Sequence, residues 1–178
     1  RGFLAVAVSP MLSATAITLG AIAAGLVGIP WGWWVPVVSG PLLAAATWGV
    51  RVALRHCGLQ MPSGSTRGDL RWWVSWALAA ALMALQLKTI LLRPDSFAQR
   101  FDNLFHLNAV RYAVVTQNGS SLTLGRLTDA DASTAFYPAG FHDAASLVLQ
   151  AFPASLPAAV NAVLVVICAL IWPAACLS

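Results

Sequence analysis

The apolar positions along this chain gather into four long runs, and each is close to the roughly 20 residues a helix needs to cross a hydrocarbon core. The first spans Phe3 to Val27, is interrupted at Pro10, and is rich in Gly and Ala. Small residues of that kind let helices approach closely in lipid. The second runs from Val35 to Leu54, with Pro36 and Pro41 near its start and Arg55 and His56 at its end. The third covers Trp72 to Leu92. The fourth covers Leu156 to Leu177, with Pro157 placed where a first helical turn tolerates a missing N–H. The pattern predicts an all-α, multi-pass transmembrane bundle of about four spans.

The connections differ in character. Gly28-Ile29-Pro30-Trp31-Gly32-Trp33-Trp34 is a tight, aromatic turn, and its three tryptophans are expected as an anchor at the membrane–water boundary. The loop from Cys57 to Leu70 holds the turn-rich stretch Pro62-Ser63-Gly64-Ser65. The third connection is far longer. It divides the chain into residues 1–92 with three spans, a polar segment over 93–155 with short interfacial helices, and the last span over 156–178. Within that segment Ala144 to Phe152 is apolar but too short to cross. Its readings are an interfacial helix, a re-entrant piece, or the start of a broken helix.

Composition agrees with the pattern. Only 9% of the residues are charged and 59% are hydrophobic, whereas about 25% charge is usual in a soluble domain. Too few charges remain to cover a water-facing surface, so lipid is the expected solvent. Net charge is +4, with Arg51, Arg55, Arg67 and Arg71 flanking one loop against Asp69 alone. By the positive-inside rule that loop is cytoplasmic, which puts the polar segment on the extracytoplasmic face of a plasma membrane. Nothing in these arginines resembles a nucleic-acid motif, and no nucleic-acid partner is expected. Cys57, Cys168 and Cys176 match no zinc or redox spacing and read as inert buried thiols. The chain opens at Arg1 without an initiator Met and stops just after an apolar run, so a piece of a longer polypeptide is expected.

The chemistry concentrates between Arg93 and Asp143. Asp102 and His106 lie four apart, so a helix there puts both on one face. A carboxylate beside an imidazole suits proton transfer or the ligation of a divalent cation (Mg, Mn or Ca). Against this stands the bland reading, an ordinary surface pair worth a few tenths of a kcal/mol. Phe105, Leu107, Val110 and Val114 are expected to pack that helix on the bundle, leaving Asp102, His106 and Arg111 toward a polar cavity. A second cluster follows at Phe136-Tyr137-Pro138-Ala139-Gly140-Phe141-His142-Asp143. Asp143 can simply serve a helix start, while His142 can meet His106 and Asp102 as a third metal-ligating group. Asn118-Gly119-Ser120 matches a glycosylation acceptor, and Asp129 and Asp131 read as a solvated loop.

The run Phe101 to Tyr112, with Phe136-Tyr137-Pro138 and His142, resembles a multi-pass family of Gram-positive actinobacteria, rich in Ala and Leu. That family is similar in plan to membrane glycosyltransferases of the GT-C type. The resemblance covers about fifty residues and implies transfer of a sugar from a polyprenyl-phosphate donor to a cell-envelope acceptor. It places the essential aspartate at Asp102, with His106 and His142 as auxiliary groups on the donor phosphate or a metal. Arg111, Tyr137, His142 and Asp143 become substrate contacts. GT-C enzymes usually carry that aspartate after the first span, whereas three spans precede it here. The alternative expectation is a non-catalytic membrane subunit packed in a larger envelope complex with membrane protein partners. A transporter is disfavoured, because the spans carry few ionisable residues beyond Lys88 and His56.

Overall fold

A computed structural model describes residues 2–59, 70–97, 101–131 and 135–177, with side chains from residue 8 onward. The described residues form helices and turns without a strand. Helix α1 covers Gly2–Leu26, α2 Trp34–His56, α3 Leu70–Leu91, α4 Phe101–Val115 and α5 Gly140–Ala151. Helix α6 (Leu156–Val165) continues through a π-helical turn, Val166–Ile171, into α7 (Trp172–Leu177). Four stretches are long and apolar enough to cross a membrane: Val8–Leu26, Trp34–His56, Leu70–Leu91 and Leu156–Leu177. The fold is the expected all-α multi-pass bundle. Arg67 and Asp69, two of the charges in the arginine loop, fall outside the described residues.

The last span is continuous yet irregular for a local reason. Pro173 has no N–H to return to the preceding turn, and its ring crowds the carbonyl four residues back. A widened π turn lies directly before it and relieves that crowding. The Leu170 carbonyl accepts from the Trp76 indole at 3.0 Å, which pins α3 to this span. Trp73 and Trp76 pack there on Ala174 and Leu177. At its other end Ser155 caps α6, its Oγ accepting from the Ala158 N–H at 3.3 Å, with Pro157 in the first turn.

The largest fully buried side chains lie in the polar segment. Leu107, Ala109, Val110 and Ala113 of α4 are buried, as are His142, Asp143, Ala145 and Ser146 of α5. Val110 and Ala145 meet Val163 of α6, and Ala113 meets Ala21 and Ala24 of α1. Alanine at these contacts lets the backbones approach. Gly140 opens α5 against Thr18, where a Cβ would lie 2.6 Å from its hydroxyl oxygen. Thr18 precedes the end of α1 at Leu26 by eight residues, about 12 Å of helix. Residues 144–151 thus continue a helix that starts beside the middle of α1, and Phe152 caps its end.

Three expectations change here. Trp31 is buried, packed with Ala21, Ala24, Val35 and Ala113, and its indole N–H donates to Ser146 Oγ at 2.8 Å. It is a core residue, and of the three tryptophans in this turn Trp33 and Trp34 are the exposed ones. The thiols are not uniformly buried: Cys57 and Cys176 are exposed and Cys168 is half-buried. The Asn118-Gly119-Ser120 turn is packed inward, with Ser120 buried and Asn118 Oδ1 accepting from Ser120 N–H and Thr123 Oγ–H. That geometry does not suit an acceptor asparagine. Asp129 and Asp131 are exposed, as expected of a solvated loop.

Candidate functional site

Two short pieces of backbone aim the site. The stretch 135–139 runs beside 121–125, with Gly125 N–H donating to Ala135 O at 2.8 Å and Tyr137 N–H to Ser121 O at 2.9 Å. Ser121 Oγ accepts from Ala139 N–H at 3.0 Å. A Cβ on Gly125 would sit 2.5 Å from Ala135 O, so this pairing requires glycine there. The arrangement fixes where α5 begins, and with it His142. On the other side, Asn161 of α6 donates from Nδ2 to the carbonyls of Pro94 (2.8 Å) and Ser96 (2.7 Å). This holds the segment after α3 against the bundle.

Between these supports lies a cavity of about 1130 Å³. Its apolar wall comes from the membrane helices, through Ile90, Leu91, Val160 and Leu164. Its polar wall carries Arg93, Asp95, Asp102, Asn103, His106 and His142, with Tyr137 beside them. Asp102 and His106 share one face of α4, as their spacing predicts, with Asp102 Oδ2 3.6 Å from His106 Nε2. That distance is ion-pair reach and too long for a good hydrogen bond. The other nitrogen of the same ring, His106 Nδ1, meets His142 Nε2 at 2.9 Å. The two imidazoles stack with planes 22° apart, and Phe105, Tyr137 and Phe141 enclose them.

A gradient of exposure runs along this chain of groups. The Asp102 side chain is 85% exposed and that of His106 30%, while His142 is 2% exposed. Burial, and then the charge of His106, lower the His142 pKa to about 4, with the Pro138 carbonyl acting in the opposite sense. His142 is therefore neutral at pH 7. Its Nδ1 makes no hydrogen bond of good geometry, although the Pro138 carbonyl favours a proton there. With the His142 hydrogen on Nδ1, its Nε2 is free to accept from His106 Nδ1–H, so the row Asp102–His106–His142 is continuous.

The structure brings Asp102, His106, Tyr137 and His142 together and leaves two expected residues out. Arg111 faces a separate depression of about 320 Å³, with Asn108, Tyr112 and Leu127, and is no contact of this cavity. Asp143 follows His142 on α5 and therefore points about 100° away around the helix axis. Its carboxyl abuts Gly119, which also lies against Trp31: a Cβ on Gly119 would be 2.6 Å from Asp143 Oδ1 and 3.0 Å from the indole. Neither Asp143 oxygen has a hydrogen-bond partner, and burial raises its pKa to about 8. Asp143 is a neutral acid in the packed centre and not a helix-start charge. The three groups of the expected cation site are arranged in a row. Asp102 and His142 address opposite nitrogens of His106, so the three do not converge on one ion, and no group of three such ligands exists among the described residues.

Sequence reasoning missed Asn161 and the Arg93–Asp95 pair, whose side chains stand 3.5 Å apart. Asn161 carried a usable signal. It is the one strongly polar side chain in the apolar run from Leu156 to Leu177, and such residues within membrane helices tend to have work. No curated protein and no solved structure matches this chain. A family model described as a family of unknown function matches residues 1–178, and the chain belongs to that family, DUF6541.

Proposed function

We propose that this chain forms the substrate-site part of a GT-C-like membrane glycosyltransferase that moves a sugar from a polyprenyl-phosphate donor to a cell-envelope acceptor. The observation that carries the reading is the two-sided cavity. One wall is span surface suited to a hydrocarbon chain, and the other is a carboxylate–imidazole–imidazole row suited to a sugar hydroxyl. A lipid-linked sugar has those two halves. Arg51, Arg55 and Arg71 at the far ends of α2 and α3 favour placing the cavity on the extracytoplasmic side of the plasma membrane.

In this reading Asp102 takes the proton from the acceptor hydroxyl while that oxygen forms its bond to the anomeric carbon. The bond from that carbon to the phosphate oxygen breaks, and polyprenyl phosphate leaves with the electron pair. His106 shares the incoming proton with Asp102, and His142 holds the His106 ring in register. Tyr137 packs against His142 and lines the approach for the sugar. Loss of a positioned base costs about 10²-fold or more in rate. Membranes carrying the full chain, supplied with a panel of labelled polyprenyl-phosphate hexoses and pentoses, provide the test. Asp102→Asn is expected to lower transfer about a hundredfold, and Asp129→Asn, in an exposed loop, to leave it unchanged. Full transfer by Asp102→Asn overturns the assignment.

The second reading, a non-catalytic membrane subunit, is favoured by one observation. Beyond Val35 no residue of α2 is buried, and Val37, Val38, Leu42, Trp48 and Val50 face outward. A stoichiometric membrane partner on that face, with no transfer from any donor, would select it.

A further inference from the structure

Beside the polar cavity runs a second concavity on the seam between α3 and α6. It encloses about 530 Å³, with walls of Ala84, Leu87, Leu91, Ala158, Ala162 and Val165. These are apolar or small side chains of two membrane helices, so water gains nothing by filling the seam and a hydrocarbon chain does. The polar residues of the lining are Asn161, Lys88, which stands on the α3 wall between Leu87 and Leu91, and Arg93, which lies at the seam's end. Arg93, Leu91, Leu92 and Asn161 border the polar cavity as well, so the two spaces adjoin.

The cations at that junction are unusual for this chain. Lys88 is exposed on the last turn of α3 and makes no ion pair with a described residue. Arg93 has Asp95 at 3.5 Å, an exposed pair that is weak and easily exchanged for a stronger anion. Arg93 thus stands where the seam meets the polar cavity, and Lys88, five residues earlier, lies within reach on the same side of the seam. A hydrocarbon tail in the seam would bring its anionic head against both of them.

We infer that the α3–α6 seam binds a single-chain lipid phosphate, with the tail between Leu87, Ala158 and Ala162 and the phosphate on Lys88 and Arg93. Two helices wall the seam, which gives room for one chain beside them. Arg93 supplies a planar fork suited to phosphate oxygens and Lys88 a point charge. A substituent on the far side of the phosphate enters the cavity that holds His106 and Asp102. This inference rests on the proposed reading only for what that substituent is; the lipid phosphate is recognised without any transfer.

Binding of farnesyl phosphate to the purified full chain in nanodiscs tests it. Lys88→Gln and Arg93→Gln are each expected to weaken binding about tenfold, since a hydrogen bond to a charged group is worth roughly that factor. Both residues are exposed, so the variants should fold; Ala162→Trp, which fills the seam, is the added test and should also abolish binding. Farnesol and inorganic phosphate should bind poorly, because each offers half of the ligand. Binding unchanged in Lys88→Gln and Arg93→Gln, or equal binding of farnesol, would overturn the site. Displacement by two-chain phosphatidic acid as effective as by farnesyl phosphate would reassign it to bulk lipid. The two readings fail separately. Cation-dependent binding without sugar transfer retires only the transferase, whereas Asp102-dependent transfer with an unaltered donor KM in the Lys88 and Arg93 variants retires only the seam.

Discussion

Helix α2 and the pair α4–α5 divide the molecule into a sheath and a centre, and hydropathy ranks them the wrong way round. The α2 span is apolar and buries Val35 alone of its residues inside the protein. Helices α4 and α5 lie in the polar segment, yet Ala109, Val110, Asp143, Ala145 and Ser146 are all at 0% exposure. In water the apolar residues would have taken the inside. In lipid an exposed Leu costs nothing, and burial is decided by close packing and by the need of polar groups for company. The polar segment is accordingly the part that requires a protein around it.

Paired substitutions break this comparison most directly. Trp31→Ala removes an indole that is 3% exposed and bonded to Ser146, whereas Trp48→Ala removes one that is 64% exposed on α2. The first is expected to cost about 3–5 kcal/mol and the second less than about 0.5 kcal/mol, read as thermal unfolding in detergent. Equal losses would erase the distinction between centre and sheath. Glycines give the next contrast. Gly125→Ala drives a Cβ to 2.5 Å from Ala135 O, and an overpacked site of that kind loses about 1–3 kcal/mol. Gly49→Ala in α2 meets nothing within 4 Å, and in a helix it should gain about 0.5–1 kcal/mol. Gly125→Ala should also disturb the site, because that pairing sets where His142 stands.

Much of the sheath was legible in the sequence, and much of the centre was not. The four spans follow from apolar runs, and the observed bounds of α2 and α3 differ from the expected ones by two residues or fewer at each end. The Asp102–His106 face followed from i,i+4 spacing, because that geometry is local. Trp31 was misread because an indole near a membrane boundary has two homes, and only Ser146, 115 positions away in the sequence, decides between them. Arg111 and Asp143 were misplaced for a similar reason. Sequence proximity to a site residue does not say which side of a helix faces the cavity, and one residue of offset turned Asp143 to Gly119. Asn161 could have been found, since an amide in an apolar span needs partners.

Adjacent residues His142 and Asp143 sharpen the comparison through pH. Folding lowers the His142 pKa to about 4, so the unfolded chain binds the extra proton between pH 6.5 and 4, and this contribution to stability rises with pH across that window. Folding raises the Asp143 pKa from 3.8 to about 8, so the folded chain holds the extra proton and stability falls as pH rises from 3.8 to 8. The two slopes oppose each other below pH 6.5 and leave Asp143 alone above it. The pair therefore predicts a plateau up to about pH 6.5 and then a loss of about 2 kcal/mol by pH 8. Asp143→Asn should abolish that loss and expose the rise from His142 below it. A loss above pH 6.5 that survives Asp143→Asn would assign it to other groups.

A smaller loss is expected where the segment after α3 meets α6. Asn161 gives both amide hydrogens to the Pro94 and Ser96 carbonyls, tying the segment after α3 to α6. Asn161→Leu removes both bonds but leaves those carbonyls near the surface, where Pro94 is exposed and Ser96 half-buried, so water can replace the amide. The global cost should therefore stay near 1 kcal/mol. The local consequence should be clearer. Backbone amides over 93–97 should exchange hydrogen faster while those of α5 stay as protected as before, because Gly140 and Ser146 are held from α1 and Trp31 instead. Faster exchange in α5 as well would mean that the segment after α3 and the centre open as one unit, and that the cavity between them has no independently movable wall.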